Sequence, residues 1–304
     1  MKTLYFVIEE SGAGVTVAQY LKRELHFTKA QIRTLKFREN GITVNGVRTR
    51  VNQELAAGDH LQLALSDGDD RSEQLVPAGG MPVILYEDED VVCVDKPAGL
   101  VVHPSHGHFQ DSLSNQMRVY YLKQGTDVKI RSIGRLDKDT SGVVVFAKNQ
   151  IAAARLWQQR EQGYFKKEYL AWCTGVFSER EREQEHTIAV PLAHAPGELM
   201  KMCAAESEEE PVALHAVTHY QVVKQEHDRA LVRLHLETGR THQIRVHMAY
   251  LGHPLLGDPI YGDGISGETH AQLCAWKAEF IQPFTGQKVT VCSRKSQEFR
   301  SFQF

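Results

Sequence analysis

The run from Ser66 to Gly80, SDGDDRSEQLVPAGG, limits what this chain can fold into more than any other segment. It has few apolar residues to bury, and Asp, Gly and Pro punctuate it, so it reads as a linker and not as part of a core. It divides the 304 residues into a module at 1–66, an acidic flexible linker at 67–80 and a larger module at 81–304. With 42% apolar and 24% charged residues, both modules have ordinary globular composition, which excludes a wholly disordered or collagen-like chain. The net charge of -3 conceals a partition: residues 66–90 carry one basic residue against eight acidic ones, whereas residues 1–65 carry nine against six. Screening confines surface charge to roughly 10 Å, so the local balance decides whether a polyanion can bind.

The apolar run Leu4 to Ile8 ends at Glu9-Glu10, which is too short for a signal peptide, and no stretch approaches a membrane span; a soluble, cytoplasmic protein is the expectation. Five cysteines without a C-x-x-C pair argue against a disulfide framework or a zinc ribbon and read as reduced thiols.

In the first module, apolar spacing predicts helices over Val17 to Leu25 and Lys29 to Phe37, the second capped by Thr28. The period then changes to strands: Ile42 to Val47 turns at Asn45-Gly46, and His60 to Leu65 alternates. Lys29, Arg33 and Lys36 fall on one helical face, with Arg48 and Arg50 on the hairpin. Such a stripe is either a solvated surface or a phosphate-binding face.

In the second module, strands are expected at Val83 to Tyr86, Val91 to Val94, Val143 to Ala147, Tyr169 to Cys173, Ala213 to Val223 and Ala230 to Glu237. Helices are expected near Leu113 to Lys123, Ile151 to Gln162 and His242 to Leu251, the last capped by Thr241. This order reads as α+β with a mixed, largely antiparallel sheet, preceded by the small first module of helices and strands. The commonest nucleotide and hydrolase signatures are absent.

Two strings carry chemistry. Gly134-Arg-Leu-Asp-Lys-Asp-Thr-Ser-Gly142 opens like a calcium loop, but Lys148 stands where the closing carboxylate is required. An Asx-turn leading into a strand remains open, and Arg135 two residues before Asp137 is more than such a turn needs. Gly239-Arg-Thr-His-Gln-Ile-Arg-Val-His247 places His242 and Arg245 on one helical face. A metal set of His242, His247 and His253 fits poorly, because His242 and His247 point ~140° apart on a helix. No metal is expected.

With Asp95-Lys-Pro-Ala-Gly-Leu100, His103-Pro104, Lys166-Lys-Glu-Tyr-Leu-Ala171 and Gly252-His-Pro-Leu-Leu-Gly-Asp258, these strings make the second module resemble the RluA family of RNA pseudouridine synthases. The first module, over roughly residues 11–66, resembles the S-four-like RNA-binding domain, with Val15-Thr-Val17 in place of the usual Arg-Leu-Asp. Gly134 stands where the RluA family usually has His, and Cys274 replaces the His of Leu-His-Ala. The resemblance implies the pseudouridine synthase fold and the isomerisation of uridine to pseudouridine in structured RNA, ribosomal RNA before transfer RNA, without a cofactor and as a monomer. It assigns Asp137 as the reacting carboxylate, Arg245 as its partner, Tyr169 as the ring that stacks on the target base, and Arg135 as the side chain that takes the flipped base's place. Leu136, Thr140, Arg240 and His242 are implied in substrate binding, with Lys29, Arg33, Lys36 and Asn45 contributing from the first module. A noncatalytic RNA-binding or ribosome-assembly protein on the same fold is the alternative.

Overall fold

The computed structural model describes the chain except for residues 1, 26, 66–74, 106, 127, 130, 199–200, 206–212, 263–269, 297–298 and 300–304. Most of the expected linker therefore lies outside the described residues. Of the remainder, Val76 is pinned through its carbonyl, which accepts from Asn115 Nδ2 at 2.7 Å, so this end of the stretch is anchored and not free.

The first module contains β1 (Lys2–Val7), α1 (Val17–Arg23), α2 (Lys29–Phe37), β2 (Ile42–Val44), β3 (Val47–Arg48) and β4 (His60–Leu65). The strands form one sheet in the order β1-β4-β2-β3. Thr16 and Thr28 each begin a helix with a reciprocal capping box, to Gln19 and Gln31 respectively. Thr16 belongs to the Val15-Thr-Val17 departure, which thus has a structural use: it caps α1, and Val17 behind it is fully buried. Ile151 of the second module is buried within the first module's apolar cluster, and Gln31 Nε2 donates to the Gln150 carbonyl at 3.2 Å. The two modules are packed together.

The second module follows with β5 (Val83–Glu87), β6 (Val91–Lys96), α3 (Leu113–Lys123), β7 (Arg131–Ser132), β8 (Ser141–Ala147), α4 (Gln150–Glu161), β9 (Lys166–Thr174), α5 (Glu179–Glu183), β10 (His186–Ile188), β11 (Leu192–His194), β12 (Met202–Ala204), β13 (Thr218–Glu226), β14 (Arg229–Leu236), α6 (Gln243–Tyr250), β15 (Leu273–Ile281) and β16 (Lys288–Cys292). Its main sheet runs β10-β13-β14-β9-β15-β8-β6-β5, with β16 paired to β15 and β7 to β8. All of these pairings are antiparallel except β15 with β8. The expected α+β class and mixed sheet are what the chain forms.

Every residue of β8 is buried. Val144 and Phe146 enter one apolar cluster with Leu113, Met117 and Tyr121 of α3 and Ile244 and Met248 of α6; Val143, Val145 and Ala147 enter another with Ala152 and Leu156 of α4. A strand covered by helices on both faces has to be apolar throughout, which explains the unbroken Val-Val-Val-Phe-Ala run. Gly142 marks the parallel contact with β15. A Cβ there would stand 2.3 Å from the Ala275 carbonyl oxygen, and φ is +110°, so only glycine lets the two strands meet.

Candidate active site

The site lies at one end of this sheet, where β6 ends, β8 begins, and the turn after β14 leads into α6. Asp137 sits in the loop entering β8, and its carbonyl accepts from Thr140 N at 3.2 Å to close a tight turn. Its charge reaches Tyr169 on β9, Arg245 and His242 at α6, Lys96 at the end of β6, and Tyr261. Of the residues that the sequence singled out for chemistry, Asp137 thus lies within electrostatic reach of both Tyr169 and Arg245.

Arg245 departs from the expected arrangement. It forks onto Asp258, with Nε donating to Oδ2 at 2.7 Å and Nη2 to Oδ1 at 2.6 Å, and both side chains are almost wholly buried. Oδ1 of Asp258 also accepts from the Ile260 and Tyr261 amides at 2.9 and 3.1 Å. Burial opposes charge on both partners, yet these bonds and the mutual attraction hold Asp258 below the usual carboxylate range and raise Arg245 further, with Asp137 and Asp139 adding to the field. Asp258 thus fixes the guanidinium, and Asp137 contributes to the field around it. Asp258 closes the Gly252–Asp258 string, the one signal in the sequence that could have pointed to it.

His242 precedes α6 in the left-handed conformation, with φ of 56°, and its side chain makes no cap; Thr241 does not cap the helix either. Gln243 closes the entry instead: its Oε1 accepts from the Arg240 amide at 3.0 Å and the Thr238 hydroxyl at 2.9 Å, and its amide donates to the Val217 carbonyl and Thr218 Oγ1. The strained backbone turns His242 toward Tyr261, with Nδ1 3.0 Å from the hydroxyl. Burial first, and the charges of Arg245 and Arg135 next, lower its pKa against the pull of Asp137 and Asp258.

Lys96 is a further member of the site that sequence reasoning did not single out. Its ammonium is fully buried and donates to the carbonyls of Pro97 (3.0 Å), Leu100 (2.5 Å) and Lys138 (2.9 Å), tying the Asp95–Leu100 string to the Asp137 loop. Burial pushes its pKa down to about 7, opposed by Asp137 and Asp139, while three carbonyls match the three protons of the charged form. Tyr169 is buried, and burial pushes its phenol up to about 12, Arg160 acting against the shift and Asp137 with it.

The other site residues expected from sequence divide by location. Arg135 and Arg240 are exposed, Arg240 donating through Nε to the His215 carbonyl at 2.9 Å. Leu136 and Thr140 are buried, and Leu136 packs in the main core, so its side chain supports the loop. Asp139 pairs with His270 at 3.2 Å. Lys29, Arg33 and Lys36 lie exposed along α2. Asn45, at φ 52°, is exposed with its side chain engaged at the surface: Nδ2 donates to Asp59 and Oδ1 accepts from the His60 amide. Cys274 lies in the core with Leu170, Trp172 and Leu231, a packing position. The three histidines weighed as metal ligands are engaged elsewhere: His242 with Tyr261, His247 with Thr218 and the Val190 carbonyl, and His253 with the Thr174 carbonyl.

Residues 90–250 match the family model described as RNA pseudouridylate synthase. The chain is 34% identical to the uncharacterized RNA pseudouridine synthase YhcT of Bacillus subtilis (strain 168), over 94% of this chain and 91% of that protein. It is 30% identical to the ribosomal large subunit pseudouridine synthase D of Nitrosomonas europaea, over 94% and 82%. Among solved structures, the human RNA pseudouridylate synthase domain containing 1 superposes with a TM-score of 0.57 at 26% identity, covering 70% of this chain and 82% of that one. The chain belongs to the RNA pseudouridine synthase family.

Proposed function

We propose that this chain isomerises specific uridines in large-subunit ribosomal RNA, with Asp137 as the reacting carboxylate. The reaction breaks the bond from ribose C1′ to base N1, turns the base, and joins C1′ to C5; the proton lost from C5 is balanced by one gained at N1, so no redox partner enters. The observation that carries this reading is that the charge of Asp137, alone among the carboxylates of the described residues, reaches Tyr169, Arg245 and His242 together. A carboxylate at a partly buried site resists ionisation unless a cation is held nearby. Arg245, locked by Asp258, supplies that cation without moving when substrate enters. Tyr169 offers its ring face to a base that has left the stack, and Arg135 fills the gap the base leaves in the RNA.

The same reading gives the first module an S-four-like, RNA-binding role, with Lys29, Arg33 and Lys36 on phosphates, in a monomeric, cytoplasmic protein that uses no cofactor. No helix among the described residues is long and apolar enough to cross a membrane. The names of the relatives favour ribosomal RNA over transfer RNA.

Asp137→Asn tests the reading. It keeps the side chain's size and removes its charge and nucleophilicity. Tritium release from carbon-5-labelled ribosomal RNA should vanish while filter binding holds within a few-fold, and Asp139→Asn should be far milder. Full activity in Asp137→Asn would take the reacting role away from Asp137, and tight binding by an inactive wild type would replace the enzyme with an RNA-binding protein on the same fold.

A further inference from the structure

Arg160, on the last turn of α4, lies in none of the strings that carry the family resemblance. It reaches from the face of the sheet opposite α6 to the two loops that frame the cleft. A Cβ built on Gly134 would stand 2.3 Å from its Nη1, and one built on Gly239 would stand 2.6 Å from its Nη2. The guanidinium therefore bridges the Asp137 loop and the turn that leads to Arg240 and His242, in space that exists because both neighbours lack side chains. Its Cζ lies 5.2 Å from the centroid of the exposed Trp157 ring, within cation–π range. Among the described residues no carboxylate pairs with it. Its charge nevertheless reaches into the cleft, acting on Tyr169.

A half-buried guanidinium is ordinarily matched by a carboxylate, as Arg245 is by Asp258. Here the described residues supply an aromatic platform and no anion. Resting on the reading that an RNA uridine is turned over in this cleft, we propose that Arg160 binds a backbone phosphate flanking the target nucleotide. The chemistry fits: a planar fork takes phosphate oxygens two at a time, and every nucleotide beside a flipped base brings one phosphate. Arg160 is thus a substrate-binding residue of α4, and Gly134 and Gly239 keep its place open.

The test compares wild type, Arg160→Ala, Gly239→Ala and the double variant on a carbon-5-tritiated large-subunit ribosomal RNA transcript. Gly239 has no positive φ, so its Ala variant expels the guanidinium without backbone strain. Each single variant should raise KM about tenfold with kcat within threefold, and should lower the salt slope of filter binding by about one phosphate contact. The double variant should be no worse than Arg160→Ala, because both changes remove one interaction. Should Arg160→Ala fail to fold, Arg160→Gln, which keeps the stem and loses the charge, carries the same comparison. Unchanged KM and salt slope in Arg160→Ala, or additive losses in the double variant, would overturn the proposal while leaving the enzyme reading intact. A wild type that binds the transcript without releasing tritium would sink the enzyme reading instead, and the salt slopes would still decide the role of Arg160.

Discussion

Replacing Arg245 with Met removes the cation from a pair whose two side chains are both nearly inaccessible to water. Removing one partner of such a pair costs about 3–5 kcal/mol, because the survivor is left charged in a poor solvent. The lower end applies here. Asp258 keeps the amides of Ile260 and Tyr261 at 2.9 and 3.1 Å, and Met fills most of the volume the arginine stem occupied. For a domain of this size each kcal/mol moves Tm by roughly 2–4 °C, so Arg245→Met should melt about 6–12 °C below wild type. Arg245→Lys keeps the charge but presents one compact donor group where Asp258 receives a fork, and should fall between the two. Both variants should lose pseudouridine formation by more than their folded fraction explains, since Asp137 loses its oriented cation. Calorimetric melts and tritium release on the same samples separate the two effects. A Tm within about 2 °C of wild type together with a wild-type rate would refute both the energetic and the catalytic reasoning.

Asp258 also sets a pH dependence: its folded pKa is depressed, so its contribution to stability is present above the ordinary carboxylate range and is lost as pH falls through the folded value. Tm should drop on acidification below about pH 4, and drop less steeply in Asp258→Asn, as a pH series of melts would record. Tyr169→Leu removes the ring proposed to stack on the base and should weaken RNA binding by about 5- to 150-fold, the equivalent of ~1–3 kcal/mol, whereas Tyr169→Phe should stay near wild type in a filter-binding assay. Deleting residues 1–66 should weaken binding and flatten its salt dependence through loss of the α2 cations. The same deletion uncovers Ile151 and should lower Tm, which a truncated domain that merely hung from a tether would not do.

Local chemistry made much of this legible. The capping residue Thr28, the Asn45-Gly46 turn and the doubly buried β8 can be read from neighbours in sequence, and the structure places each where expected. What escaped is nonlocal. β1 is a strand because it pairs with β4 some sixty residues on, and the apolar residues of Lys2–Val7 carry no turn signal of their own. β15, the hub between β9 and β8, depends on a parallel contact that only a glycine permits. In the site, Asp137, Tyr169 and Arg245 came from the family resemblance, but the carboxylate that holds Arg245 lies thirteen residues away in a loop. Thr241 looked like a cap because caps are read from the residue before a helix; Gln243, inside the helix, takes that place with its own side chain. Arg160 has no sequence signal, since its meaning comes from two glycines in other loops.

The seating of Ile151 in the first module's core bears on which RNAs can be chosen. Gln150 and Ile151 open α4, and Arg160 stands at its other end, ten residues or ~15 Å along the axis. A tethered grip would raise the local concentration of any RNA it caught, by an amount falling with tether length. A grip bolted to the end of a helix behaves like the fixed jaw of a calliper. If the first module holds RNA as proposed, an RNA whose folded element and target uridine are spaced otherwise can engage one jaw only, and discrimination among uridines then comes from distance as much as from sequence.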